Sequence, residues 1–340
     1  MSDDYLWDKS GKPDPEMQRL EQVLGELRHE GEPPPFRAPA VRPTRGPWIP
    51  AWSPARAAAA GMLIVAGAWW GVRLVQPPKS RWVVVALEGS PRVGAAPLVE
   101  RGTIAVGQWL VTDSMSRARI RVGAIGEVDV DPNTRIRLVR AQADEHRLAL
   151  QRGTVHAAVL ARPRLFFIET PAGVAVDLGC AYTLHVDETG VGELVVTAGW
   201  VAYERGGRES VIPHGAMCVT RPRVGPGTPF FGDALPGFKA ALARLDFERL
   251  SEADLTMVLT TVVAQARPRD ALTLWHLLTR VPVPDRGLVY DALAALVPPP
   301  AGVTREKAVA GDRATLDRWW DQLGFGDSQS WRKWKAKGPG

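Results

Sequence analysis

The sequence predicts a mainly β protein, a multi-stranded sandwich, roll or solenoid-like stack, with one transmembrane helix before it and a C-terminal α-helical bundle after it. Three observations predict this. Residues 57–72 carry no charged side chain, residues 82–224 break into short stretches that alternate apolar and polar side chains, and beyond residue 234 the apolar spacing becomes that of helices. An apolar fraction of 45% with 23% charged residues is that of a globular protein and excludes a chain disordered throughout. The 33 glycines and 29 prolines favour frequent turns over long unbroken helices.

Residues 1–53 divide into a short helix and a tether. Asp14 suits an N-cap, Pro15 the first helical position and Glu16 the positive end of the helix dipole, so a helix is expected over residues 15–28. Met17, Leu20, Leu24 and Leu27 follow at helical steps and form one apolar stripe, with Val23 beside it. Tyr5, Leu6 and Trp7 add aromatic and apolar surface ahead of it. A helix of this length is marginal alone in water, so these seven residues are the candidate partner-binding set, a helix-in-groove ligand that orders on its partner. The alternative is a helix lying on the membrane or on another part of the chain. Residues 30–53, with Pro33, Pro34, Pro35, Pro39, Pro43, Pro47 and Pro50, read as an extended linker.

The run from Gly61 to Trp70 is apolar on every side. Residues 57–72 alone would rise only about 24 Å, but with Arg56 and Arg73 snorkelling the usable span widens to residues 54–76, about 35 Å, enough to cross the hydrocarbon core. Trp48, Trp52, Trp69, Trp70 and Trp82 bracket it as interfacial anchors, and Pro54 and Pro77-Pro78 mark its ends. Contact with membrane lipid is expected there. Arginines flank both sides about equally, so the positive-inside rule leaves the orientation open.

From residue 82 the sequence predicts about a dozen strands: 82–87, 107–112, 118–122, 126–130, 134–139, 146–151, 153–160, 166–170, 175–178, 182–186, 193–198 and 200–205. In Arg117-Ala-Arg-Ile-Arg-Val122 the arginines face one way and the apolar side chains the other, and Arg135-Ile-Arg-Leu138 repeats the device, so one sheet face is expected to be solvated.

Several segments in order carry a family resemblance: Leu87-Glu-Gly-Ser, Gly107-Gln-Trp-Leu-Val-Thr-Asp, Ser116-Arg-Ala-Arg-Ile-Arg-Val, Gly126-Glu-Val-Asp-Val-Asp-Pro-Asn-Thr-Arg, Leu148-Ala-Leu-Gln-Arg-Gly-Thr-Val and Phe167-Ile-Glu-Thr-Pro-Ala-Gly-Val-Ala-Val-Asp-Leu-Gly-Cys-Ala-Tyr. Together, over residues 83–204, they resemble the FecR domain. Gly179-Cys-Ala-Tyr182 stands where that family usually shows Gly-Thr before the aromatic. The resemblance implies a single-pass protein of the bacterial inner membrane, its N-terminus cytoplasmic and touching an extracytoplasmic-function sigma factor, its β domain periplasmic and meeting a periplasmic protein or ligand. No match is seen to the small receptor-contacting domain of iron-uptake members, and the N-terminal stripe lacks the His and paired Cys of zinc-binding anti-sigma modules, so contact with a sigma factor would be metal-free.

Residues 234–324 predict helices over 235–250, 251–266, 270–280, 285–296 and 312–323, several opening on Ser or Asp and separated by Pro. The last stretch, 325–340, reads as a flexible basic tail.

No chemistry emerges from motif spacing. His29, His146, His156, His185, His214 and His276 form no metal-ligand pattern, there is no GxSxG, P-loop or dinucleotide fingerprint, and Asp129 and Asp131 are explained by a turn at Pro132. His185 and Asp187 share a strand face, the arrangement of a surface pair. No enzyme, metal, cofactor or catalytic residue is therefore expected. The net charge of +5 is spread without a basic arm, so no nucleic-acid partner is expected either. Cys180 and Cys218 lie in apolar strand-like stretches, as buried thiols or as a pair. Two functions stand: a membrane-anchored signal transducer of FecR type, and an envelope scaffold or ligand-binding protein for a glycan, peptide or secretion component.

Overall fold

A computed structural model describes residues 81–326, which lie within one compact unit, Arg73–Gly340. The predicted N-terminal helix, linker and membrane span fall outside the described residues, and among the described residues no helix is long and apolar enough to cross a membrane.

Eighteen strands form two antiparallel sheets joined by one shared strand. The first sheet runs β4 (Arg101–Ala105), β1 (Arg81–Glu88), β6 (Arg117–Val122), β7 (Gly126–Val130), the second half of β9 (His146–Val159), β12 (Cys180–Val186), β13 (Gly192–Ala198) and β16 (Ala216–Arg221), whose outer side takes β17 (Gly225–Pro226) and β18 (Phe230–Phe231). The second runs β3 (Ala96–Pro97), β2 (Arg92–Val93), β5 (Trp109–Val111), β8 (Arg135–Ala141), the first half of β9, β10 (Phe166–Thr170), β11 (Gly173–Asp177), β14 (Trp200–Arg205) and β15 (Arg208–Pro213). Only the β9–β10 pairing is parallel among these ladders.

The strand β9 explains how both sheets feed one core. Its buried residues are Leu148 and Leu150 in the first half but Val155, Ala157 and Val159 in the second, so the inward phase shifts by one residue between them. The shift sits at a bulge, where Arg135 pairs with Arg152 but Ile136 with Leu150, and at Gly153, whose φ of +98° favours glycine. A Cβ there would lie 2.4 Å from the Cα of Thr134, so the corner also needs a residue without one. The sequence reads this point as a break between two strands; the chain instead bends and continues. Thr112, Thr134 and Thr154 lace the corner, with the Thr112 hydroxyl accepting from Thr134 N–H at 2.9 Å and the Thr134 hydroxyl accepting from Thr154 N–H at 3.0 Å.

Alternation in β6 is as expected: Ala118, Ile120 and Val122 are buried and Arg117, Arg119 and Arg121 face outward. The strands β15 and β16 escaped the sequence reading. In β15 the run Ser210–Val211–Ile212–Pro213 is buried without interruption, because helices cover the face that would otherwise be wet, and the alternating signature is lost.

Six helices follow: α1 (Pro236–Phe247), α2 (Glu252–Gln265), α3 (Ala271–Leu277), α4 (Arg286–Leu296), α5 (Arg305–Ala310) and α6 (Arg313–Gln322). Ser251 and Asp312 cap α2 and α6 by accepting from Asp254 N–H and Thr315 N–H, as their positions suggest. Asp270 does not cap α3; its carboxylate takes the Arg267 backbone N–H at 2.9 Å and the Arg267 side chain at 2.8 Å. The short α5, missed in the sequence, is capped by Thr304 and stopped by Gly311 at φ +77°. Trp319 and Trp320 are fully buried, their indole N–H groups donating to Val297 O and Gly326 O. Strands and helices share one hydrophobic core. At the start of the predicted tail, the Phe325 carbonyl accepts from the Trp200 indole at 2.5 Å and its ring packs 5.7 Å from Trp320.

Candidate functional site

A cavity of about 730 Å³ opens where β15 meets α3 and α6. Strand β15 supplies Arg208, Glu209 and Val211, helix α3 supplies Trp275 and His276, and Arg280 follows α3 into the same cleft. These positions are fixed by hydrogen bonds between strand and helix. The His276 Nε2 accepts from Val211 N–H at 3.1 Å, which leaves Nδ1 as the donor to the Leu272 carbonyl at 2.9 Å. Burial, reinforced by the Arg280 charge, pulls His276 down to about 3, so it is neutral at physiological pH and serves as a fixed acceptor.

Arg280 is the electrostatic centre of the junction. Its guanidinium donates to the Ser210 hydroxyl at 2.6 Å, the Glu209 carbonyl at 2.9 Å and the Thr228 hydroxyl at 2.9 Å, with the Asp246 carboxylate 3.6 Å away. Asp246, its side chain 5% exposed, also accepts from Arg208 at 2.6 Å and from Thr228 N–H at 2.6 Å. Burial pulls Arg280 down to about 10, against the opposing pull of Asp246, and it stays cationic at neutral pH. The same burial pushes the neighbouring Cys218 thiol up to about 12, which removes it as a nucleophile. Arg313 approaches Glu209 at 3.6 Å. Charges around the cleft are thus largely matched within the protein, and the cleft offers shape and directional donors rather than a reactive group.

A second polar arrangement crosses the outward face of the first sheet. Arg117 contacts Asp131 at 2.6 Å, Asp131 contacts His156 Nε2 at 2.8 Å, and His156 Nδ1 contacts the Thr183 hydroxyl at 2.9 Å. Hydroxyl, imidazole and carboxylate follow the order of a hydrolase triad. They stand on an open sheet face, with His156 44% exposed, where water is not excluded, and the contacts knit four strands together. Motif spacing could not find this group, since Asp131 follows β7 while His156 and Thr183 come from β9 and β12, and only the pairing of those strands brings them together.

His185 and Asp187 do not pair. His185 Nδ1 meets the Thr154 hydroxyl at 2.8 Å, and Asp187 closes its own turn by accepting from Thr189 and Val191 N–H. Asp129 and Asp131 are more than turn residues, because Asp129 takes a bidentate contact from Arg119 at 2.5 and 2.7 Å. Cys180 and Cys218 are both free and buried, and the Cys180 thiol donates to Asp177 at 2.7 Å. Among the described residues no three His, Cys, Asp or Glu side chains gather as metal ligands. Tyr5, Leu6, Trp7, Met17, Leu20, Leu24 and Leu27 all lie outside the described residues.

Residues 108–202 match the FecR protein family model. The FecR segment runs from the turn before β5 into β14 and takes in all of β9, so it holds the bend that joins the sheets. It stops before β15, which places the walls of the cleft outside it. No curated protein matches the chain. Two crystal structures of a protein described as a candidate anti-sigma factor from Parabacteroides distasonis ATCC 8503 are similar to it at 14% identity and a TM-score of 0.33; they cover 46% and 45% of this chain, and 74% and 73% of their own.

Proposed function

We propose that the chain is a single-pass signal transducer of FecR type, which relays an envelope signal to an extracytoplasmic-function sigma factor through its N-terminal segment. The observation that carries this reading is the FecR match over residues 108–202 in the same chain as an uncharged apolar run at 57–72 and a short amphipathic stripe from Met17 to Leu27. In this reading residues 54–76 lie in the bacterial inner membrane, the N-terminus is cytoplasmic and the β domain periplasmic. It is a regulator, not an enzyme.

The fold supplies a physical reason for coupling. The strand that follows the apolar run, β1, is hydrogen-bonded on both edges, to β4 and to β6, and buries Trp82 and Val84. A force or shift in the sheets reaches such a strand directly, whereas a loose loop would absorb it. The cleft at β15, α3 and α6 is where a periplasmic ligand would bias the domain.

The test is genetic. Removing the gene should change transcription of one sigma-factor regulon, the full chain should restore it, and the Leu20→Asp, Leu24→Asp chain should fail to restore it while accumulating to the same level. Full restoration by that variant would contradict the reading and favour the envelope scaffold.

A further inference from the structure

The outward face of the second sheet carries a positively charged platform that the function above does not use. Trp109 on β5 lies opposite Arg137 on β8, and Val111 lies opposite Arg135. The guanidinium carbons of Arg135 and Arg137 stand 4.5 and 5.1 Å from the centre of the Trp109 ring. Neither guanidinium has an ion pair or a hydrogen bond among the described residues, and the Nε of each is buried without a partner. Other outward arginines of the sheet have partners: Arg140 and Arg147 are both bound to Glu145, Arg152 to Glu188, and Arg92 and Arg205 donate to the Ala95 and Pro171 carbonyls. Stacking on an indole orients a guanidinium and leaves its edge nitrogens free for a planar anion.

Beside the pair lies a shallow hollow of about 190 Å³ with Ala149 and Leu150 at its base, Trp109 on one side and Gln151, Glu169 and Pro171 around the rest. The small Ala149 lies between Arg137 and Glu169 in the strand register, which opens the depression.

We propose that this platform binds an extended acidic peptide segment of a partner protein, with two carboxylates at alternate positions held by Arg135 and Arg137. Residues two apart on a strand are about 6.6 Å apart, and alternate side chains of an extended ligand repeat at the same pitch. Charge complementarity selects the ligand class. Arg140 and Arg147 are compensated by Glu145 and Glu169, so the uncompensated positive charge of this part of the face is confined to Arg135 and Arg137. That two-charge footprint suits a short acidic run with an uncharged side chain seated in the hollow, and gives an anionic membrane or a long polyanion nothing to hold beyond the pair. A neutral glycan would want a bare aromatic face, and the guanidinium groups already occupy Trp109. The proposal is independent of the sigma-factor reading.

The test uses the full chain in detergent micelles and a fluorescent nine-residue peptide with three alternating aspartates, read by anisotropy, with the same peptide bearing asparagines as control. The native chain should bind the aspartate peptide with an affinity that falls as salt rises, and at least about tenfold more tightly than the asparagine peptide. The Arg135→Gln, Arg137→Gln chain should lose about tenfold or more while unfolding at the native temperature, and Arg140→Gln should bind as the native chain does. Equal binding of both peptides, or unchanged binding by the double variant, would overturn the proposal. Retention of the native chain, but not the double variant, on phosphatidylglycerol vesicles or an acidic polysaccharide, with no peptide binding, would assign the platform to another ligand class and also overturn it.

Discussion

The outward face of the first sheet and the junction of β15 with α3 are built from the same residue types and treat them in opposite ways. On the sheet face, Arg119 pairs with Asp129 while each keeps about a third of its side chain in water, and His156 is 44% exposed. At the junction, Arg280 and Asp246 keep 10% and 5%, and His276 is buried. Water screens the first set and makes its members replaceable. The second set is largely shielded from it, and there each buried polar group depends on a named protein partner. The sheet face is therefore a tolerant surface, while the junction fixes how the helices sit on the strands.

Removing a junction charge should have the largest effect. Arg280→Ala leaves Asp246 buried beside Arg208 alone, and strips donors from Ser210 and the Glu209 carbonyl; it should cost roughly 3–5 kcal/mol in denaturant unfolding. A cost comparable to that of a surface pair would erase the contrast between the regions.

The next effect appears in pH dependence and sets a helix residue against a strand residue. His276 sits near 3 in the fold against an ordinary 6.5, so its stabilising contribution is present above 6.5 and lost as pH falls from 6.5 toward 3. Asp177 is raised to about 6 by burial, so its contribution is present below its ordinary 3.8 and lost as pH rises from 3.8 through 6. The stability difference between the native chain and His276→Gln should therefore shrink on acidification, and that between the native chain and Asp177→Asn should shrink as pH rises from 4 to 6. Unfolding midpoints measured across pH 4–7 check both slopes; parallel curves for either variant would contradict its assignment.

The smallest effects belong to the sheet face. Arg119→Ala should change stability by less than about 1 kcal/mol and His156→Ala by about 0.5 kcal/mol or less, because solvent replaces what each loses. A larger loss would show that the cross-strand network through Asp131 is structural in the way the junction is.

The contrast also explains what could be read from the sequence. Strand β6 was legible because it is wet on one side, and Arg117-Ala-Arg-Ile-Arg-Val122 records that directly. The helix starts at Ser251 and Asp312 were legible because capping is a local interaction. Strand β15 was not, since covering by helices removes the alternation, and the bend at Gly153 passed as a gap between strands. The cleft was invisible for a related reason. Arg280 resembles any basic residue near a helix end, and only the tertiary fold brings it to Ser210, 70 residues away. His156 with Asp131, and Arg135 with Arg137 on Trp109, likewise depend on strand register. The stripe of Met17, Leu20, Leu24 and Leu27 lies outside the described residues, and the proposed function leans on it.

The most direct measurement is therefore affinity capture of the full chain from detergent-treated cells, compared with the Leu20→Asp, Leu24→Asp chain and read by mass spectrometry. The account predicts that a sigma factor is recovered with the native chain and depleted at least tenfold with the variant. Equal recovery with both, or no sigma factor with either, would contradict it.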